Sequence, residues 1–317
     1  MAFITLLLTC TAASVLGLDT CGGNRCDTAA CPCGCECGTP TDPGLCFVPK
    51  EGAASRTSGP GCNGFERKPT VLITGATGRT GSSLYKQLVA EGNVTVRAFV
   101  RDVDKARKVL GCSKCDPSEG VFIGNVSDDA ALRAATLGAH AVAIAVGASG
   151  SGSQKEIEAV EFIGVQKQAA ALAQPSNLAA VGGRAAGLRV VLCSSMGTTD
   201  PKPSPMEGGS VLFWKLNAEA YLAASGLSVA SVKPCGLLST PGGQSELLVG
   251  KDDALLHTMP PVVSRQDVAR VMAAALAYEE PASGAPLNMR FDLCSKKGPA
   301  TTDLHALLSQ TLWPWQQ

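Results

Sequence analysis

Two spacings of apolar residues divide this chain. From residue 70 onward, short runs rich in β-branched residues, such as Val71-Leu72-Ile73 and Val190-Val191-Leu192, alternate with longer segments of helical period. The pattern predicts strands at 70–74, 94–100, 120–123, 140–146, 188–193 and 227–232. It predicts helices at 79–91, 103–110, 128–136, 155–173 and 209–225, with two more at 265–278 and 302–311. Residues 180–187, rich in Gly and Ala, read as a loop insertion, and no internal repeat is visible. Strands and helices in alternation imply an α/β fold, a doubly wound parallel sheet covered on both faces. Residues 233–317 would add the last two helices and cap the substrate crevice.

Composition agrees with that architecture. The 317 residues are 45% apolar and only 4% aromatic, so Ala, Val, Leu and Gly carry the packing, as suits a parallel sheet. The formal net charge is zero, which gives no reason to expect nucleic acid as a partner.

Where the first strand ends, the sequence reads Thr74-Gly75-Ala76-Thr77-Gly78-Arg79-Thr80-Gly81. Glycines between a buried strand and a helix let the backbone turn sharply and approach a pyrophosphate, with the helix N-terminus aimed at the anion. Gly75, Thr77, Gly78, Arg79, Thr80 and Gly81 are therefore expected to hold the diphosphate of a dinucleotide. A second strand should deliver the residue that reads the adenosine ribose about 20 residues on. Arg101 ends that strand. A guanidinium there suits the 2′-phosphate of NADP, and Arg79 offers a second cation. The competing reading gives the ribose to Asp102 and makes the cofactor NAD.

The first 67 residues are unlike the rest. Phe3–Leu18 is an apolar run followed by polar residues from Asp19, which resembles a signal or targeting peptide over 1–17, although basic residues are missing before it. It is shorter than the roughly 20 residues a bilayer span needs, so no stable membrane span is expected after cleavage. Residues 18–67 hold Cys21, Cys26, Cys31, Cys33, Cys35, Cys37, Cys46 and Cys62 among Gly, Pro, Thr and Ser. After a signal, these thiols read as a disulfide-linked or disordered appendage. The alternating Cys31 to Cys37 also resembles a thiolate cluster for soft metals, but no metal ligand set is assigned. The chain is expected to enter the secretory route, ending in a plastid, another organelle or outside the cell. Residues 68–317 form the NAD(P)-binding domain.

Together the glycine turn, Val100-Arg101, Phe122-Ile123-Gly124-Asn125-Val126, Ser194-Ser195-Met196-Gly197, Trp214-Lys215, Lys233-Pro234-x-Gly236-Leu237-Leu238 and Glu246–Asp253 resemble an atypical short-chain dehydrogenase/reductase. More narrowly, the chain is similar to plant and algal NAD(P)-binding proteins related to the NmrA-like group. The resemblance spans about residues 69–312 and implies a Rossmann fold that binds NADP. It further implies Asn125 and Val126 against the adenine, where relatives commonly carry Asp. Ala145, Val146 and Gly147 would pass beneath the cofactor. Val146 reads equally well as core packing alone.

The chemistry is less complete. In the wider superfamily a Tyr supplies the proton, a Lys four residues later lowers its pKa, and a Ser orients the carbonyl. Here Tyr85, Tyr221 and Tyr278 are followed at that spacing by Val89, Ser225 and Ala282, so the pair is absent. Lys215 stands in the family's lysine position with Val211 four residues before it. Ser195 and Lys215 are the candidate catalytic residues, beside Pro234 at the nicotinamide. The alternative for Lys215 is an exposed helix pair with Glu219.

Other chemistry is less well supported. Ser195 misses the first glycine of a hydrolase elbow. His140, His257 and His305 are scattered and read as structural or solvent-exposed. Cys112 and Cys115 form a C-x-x-C that is either redox-active or a local disulfide, and Cys193 and Cys235 read as packing residues. Asn93-Val94-Thr95 and Asn125-Val126-Ser127 are glycosylation sequons, and a glycan on Asn125 would block the adenine site. Two functions follow. One is an NADP-dependent oxidoreductase that transfers hydride to a small organic substrate. The other is a non-catalytic NADP(H) redox sensor or scaffold.

Overall fold

The computed structural model describes residues 68–148, 152–199, 209–257, 260–279 and 285–316, with the backbone of residues 20–25, 36–37 and 45–47. The expected signal over 1–17 and most of the Cys-rich segment lie outside the described residues. The chain divides into two units, residues 1–68 and 69–317. In the first, β1 (Thr20–Arg25), β2 (Glu36–Cys37) and β3 (Leu45–Phe47) pair antiparallel in the order β1-β3-β2.

The second unit carries the α/β alternation. In chain order it runs β4 (Thr70–Thr74), α1 (Arg79–Glu91), β5 (Thr95–Val100), α2 (Val103–Leu110), β6 (Val121–Ile123), α3 (Asp129–Thr136) and β7 (Ala141–Ile144). Next come α4 (Gln154–Glu158), a π-helical turn at Ala159–Ile163, α5 (Gly164–Leu172) and α6 (Pro175–Ala180). Then follow β8 (Arg189–Cys193), α7 (Gly209–Ala223), β9 (Ser228–Pro234), β10 (Gly236–Leu238), β11 (Glu246–Gly250) and β12 (Val262–Ser264). The chain finishes with α8 (Arg265–Ala277), β13 (Asn288–Lys296) and α9 (Leu304–Ser309).

Six strands lie parallel in the order β6-β5-β4-β7-β8-β9, the doubly wound arrangement, and β13 adds to β9 in the same direction. Order reverses between β4 and β7, and the crevice beyond their carboxyl ends is where such sheets bind ligands. Beyond β13 the sheet changes character: β11 and β12 both run antiparallel to it.

Alternation along β4 explains the layers. Val71 and Ile73 enter a core with Leu84 and Leu88 of α1, Ala106 of α2, and Val268 and Met272 of α8. Leu72 points the other way, to Leu132 of α3, Val165 and Leu172 of α5, and Leu222 of α7. Each fully buried Leu contributes roughly 1.5–3 kcal/mol. Local capping fixes the helix starts: Asp102 accepts from the N–H groups of Asp104 and Lys105 at α2, and Asp128 from Ala131 at α3.

Three expectations need correction. Residues 233–317 supply four strands besides two helices, and β13 belongs to the main sheet. The expected loop at 180–187 follows a short helix, α6, started by Pro175, and closes in a 3₁₀ turn at Ala185–Gly187. The single helix over 155–173 is broken by a π-helical turn. Among the described residues no helix is long and apolar enough to cross a membrane.

Candidate active site

The glycine turn is built by contacts that admit no side chain. Gly75 has φ +71°, and a Cβ there would lie 2.5 Å from the Ala145 carbonyl oxygen. A Cβ on Gly81 would lie 2.2 Å from the carbonyl oxygen of Gly75, so α1 starts pressed against the turn it leaves. The first turn of α1 has neither a side-chain cap nor an acidic residue, and Arg79 stands exposed at its first position. That leaves a cluster of N–H donors and a cation with no acceptor supplied by the helix, which fits an anionic diphosphate.

Past the end of β5, outside the residues that line the crevice at the carboxyl ends of the sheet, Arg101 is exposed and makes no ion pair or hydrogen bond among the described residues. Its neighbour Asp102 is occupied as the cap of α2, and the Lys105 N–H leads the contacts that hold its carboxyl below the usual range. Asn125, exposed past β6, accepts from the Ser127 N–H at 3.1 Å. Val126 is buried in the core with α3 and α5 and meets Gly164.

A cleft of about 670 Å³ opens over the carboxyl ends of β4, β7, β8 and β9. It gathers Arg79, Thr80, Ala145, Val146, Gly147, Ser195, Lys215 and Pro234 of the expected residues. Val146 packs on the core beside α5 and also lines the cleft, so its role is not core packing alone. None of the three tyrosines lines the cleft: Tyr85 and Tyr278 pack in one core layer and Tyr221 in the other.

Lys215 is not an exposed partner of Glu219. Its Nζ lies 2.8 Å from Glu161 Oε2, with the Glu161 side chain 3% exposed, and Glu161 Oε1 accepts from the Ala148 N–H at 2.7 Å. Burial opposes the Lys215 charge, but Glu161 outweighs it and holds the ammonium above its ordinary pKa. Glu161 sits in the π-helical turn, which shifts the phase of the helix and aims its carboxylate into the cleft. Beside the pair, Phe162 stacks on Trp214 with ring centroids 5.6 Å apart, fixing the two helices against each other. Sequence reasoning missed Glu161, because nothing local marks a π-turn.

Glu219 belongs to a second network. It accepts from Arg290 Nε at 2.7 Å, from Thr198 Oγ1 at 3.1 Å, and from Ser194 Oγ. A third group surrounds Lys233, which is fully buried with its Nζ 2.5 Å from Asp253 and 3.2 Å from Asp292. Asp253 also accepts from the N–H groups of Gly197 at 2.9 Å and Thr199 at 2.8 Å. Burial opposes its charge, yet these contacts hold its carboxyl below the usual range. For Asp292 burial prevails and pushes the carboxyl up. Both networks grip the loop of residues 194–199, on which the half-buried Ser195 hydroxyl donates to Met196 O at 2.9 Å.

The cysteines divide by location. Cys235, expected as a simple packing residue, is disulfide-bonded to Cys294, and Cys112 is bonded to Cys115. Cys193 is the free thiol among the described residues, lines the cleft and is pushed up in pKa by burial. His140 Nδ1 accepts from the Thr70 N–H, and His305 stacks on Tyr278, so both have structural contacts.

The family model for NAD(P)H-binding proteins matches residues 75–279. The chain is 35% identical over 265 residues to an uncharacterized chloroplastic protein of Arabidopsis thaliana, covering 76% of this chain and 75% of that protein. It is 34% identical over 282 residues to sanguinarine reductase of Eschscholzia californica, covering 78% of this chain and 98% of that protein. Among solved structures, an anaerobillin reductase from Escherichia coli O157:H7 superposes with a TM-score of 0.52 at 22% identity, covering 73% of this chain and 100% of that chain. The last likeness is one of fold. With its glycine turn, doubly wound sheet and crevice in place, this chain belongs to the NAD(P)H-binding Rossmann family, as an atypical relative of the short-chain dehydrogenases/reductases.

Proposed function

We propose that this protein is an NADP(H)-dependent reductase that transfers hydride to a small organic substrate. The observation that carries the reading is the placement of Lys215, Glu161 and Ser195 in the same cleft as the glycine turn. Arg101, without an ion pair or hydrogen bond among the described residues and beside a neighbour already used as a helix cap, supports NADP over NAD. Similarity to sanguinarine reductase over nearly its whole length supports reductase chemistry. NADPH, when bound, supplies the hydride. Gly75, Thr77, Gly78, Arg79, Thr80 and Gly81 would hold its diphosphate, and Arg101 its 2′-phosphate. Asn125 and Val126 would meet the adenine, with Ala145, Val146, Gly147 and Pro234 along the rest of the cofactor.

Lys215 stays an ammonium at neutral pH because Glu161 holds its charge, so it acts as a fixed donor to the ribose and to developing negative charge. Ser195 offers its hydroxyl to the substrate, and the proton comes from solvent or the substrate itself. The chloroplastic name of the Arabidopsis relative supports a plastid as the final compartment. The missing tyrosine favours the second reading, a non-catalytic NADP(H) sensor. Both are tested by following NADPH oxidation with a panel of quinones, aldehydes and flavins. Turnover is expected, falling about 10²-fold or more in Lys215→Met. Cofactor binding without turnover on any of them would establish the sensor instead.

A further inference from the structure

We infer that Arg265 is a ligand for the nicotinamide-side phosphate of the cofactor, farther along the same cleft from the glycine turn. The inference rests on the NADP(H) reading above and adds a residue that the glycine motif does not contain. Arg265 is the first residue of α8, and α8 lies with α1 on the same face of the sheet. The two helices start at the same end of that sheet, α1 after β4 and α8 against β8 and β9. Arg265 therefore stands farther along the cofactor's path than Arg79, toward Cys193 and Pro234, and all four residues line one cleft.

The side chain is anchored for such a role. Its Nη1 donates to Leu237 O at 2.9 Å and to Ser239 Oγ at 3.1 Å, which fixes the guanidinium. Among the described residues neither Arg265 nor Arg79 has a carboxylate partner. Burial lowers the Arg265 pKa, and the charge of Arg79 lowers it further, so the two cations feel each other within the cleft. A half-buried guanidinium and an exposed one that line the same cleft, with no carboxylate partner among the described residues, are complementary to an anion between them. The bridging diphosphate has the right charge and follows the line from the glycine turn to the nicotinamide position.

The test compares NADPH with adenosine 2′,5′-bisphosphate, which carries the 2′-phosphate and the adenosine-side phosphate but lacks the nicotinamide-side one. Affinities are measured by calorimetry for the full-length protein, Arg265→Ala and Arg265→Lys, with circular dichroism to confirm that each variant is folded. Arg265→Ala should weaken NADPH about 10- to 100-fold and leave the bisphosphate unchanged. Arg265→Lys keeps the charge without the fork and should fall between. NADPH affinity equal to wild type would overturn the proposal, as would an equal loss for both ligands. A raised KM for the reducible substrate with unchanged NADPH affinity would also overturn it, moving Arg265 to the substrate. Failure of the wild-type protein to bind NADPH would instead overturn the reading on which it rests.

Discussion

The glycine turn and the Ser195 loop face each other across one cleft, but they are held in different ways. At the turn, neighbours in sequence fix one another: Gly78 donates to Gly75 O, α1 presses on Gly75, and the walls are backbone. At the Ser195 loop, position depends on charges brought from remote parts of the chain, Lys233, Asp253 and Asp292 in one group and Glu219 with Arg290 in another. The glycine turn, proposed as the nucleotide end, thus takes its shape from backbone contacts, whereas at the Ser195 loop charge is the framework. A buried ion pair adds little net stability over an apolar replacement, but removing one partner is severe.

The largest test of this contrast is Lys233→Ala, which leaves Asp253 and Asp292 buried without their cation. It should lower folding stability by about 3–5 kcal/mol, read from urea denaturation. A loss below about 1 kcal/mol would mean that the loop is not held by charge. Arg101→Ala supplies the opposite arm at the nucleotide end. It should reduce NADPH affinity by about tenfold or more, leave NADH affinity alone and keep the melting temperature of the wild type. A drop in melting temperature would show that the nucleotide end also depends on its charges.

A smaller effect concerns acid. The Asp253 carboxyl is held below its unfolded value, so its contribution is present above the ordinary aspartate range and lost as pH falls through the folded value. Asp292, held above its unfolded value, has the opposite sign: stability rises as pH falls through its folded value, offsetting part of the loss. Asp253→Asn should therefore flatten stability against pH below about pH 4, seen in urea midpoints between pH 3 and 6. An unchanged slope would remove Asp253 as the acid-sensitive member.

The same contrast governs what was legible in the sequence. Strands and helices from β4 to β9 follow from local apolar pattern and capping, and their limits agree with expectation to within a residue or two at most ends. The glycine turn was equally plain, since its chemistry lies in adjacent residues. Glu161 to Lys215 and Lys233 to Asp292 were not, because tertiary folding alone brings those residues together. β13 did leave a signal: Met289, Phe291 and Leu293 alternate with Asn288, Arg290 and Asp292, the period of a strand. Its register sets Asp292 directly beside Lys233 on β9, so recognising the strand would have exposed the buried pair.

The π-helical turn at Ala159–Ile163 makes the helix and the ion pair a single inheritance. A wider turn amounts to one extra residue accommodated in a helix, and every position after it is rotated by about 100° relative to an uninterrupted α-helix. Loss of a residue there would restore regular hydrogen bonding and swing Glu161 out of register with Lys215. The helix would gain regularity while the lysine became a buried charge without its counter-ion. Length in this segment therefore matters as much as the identity of Glu161: a single-residue deletion alters the helix and the floor of the cleft together.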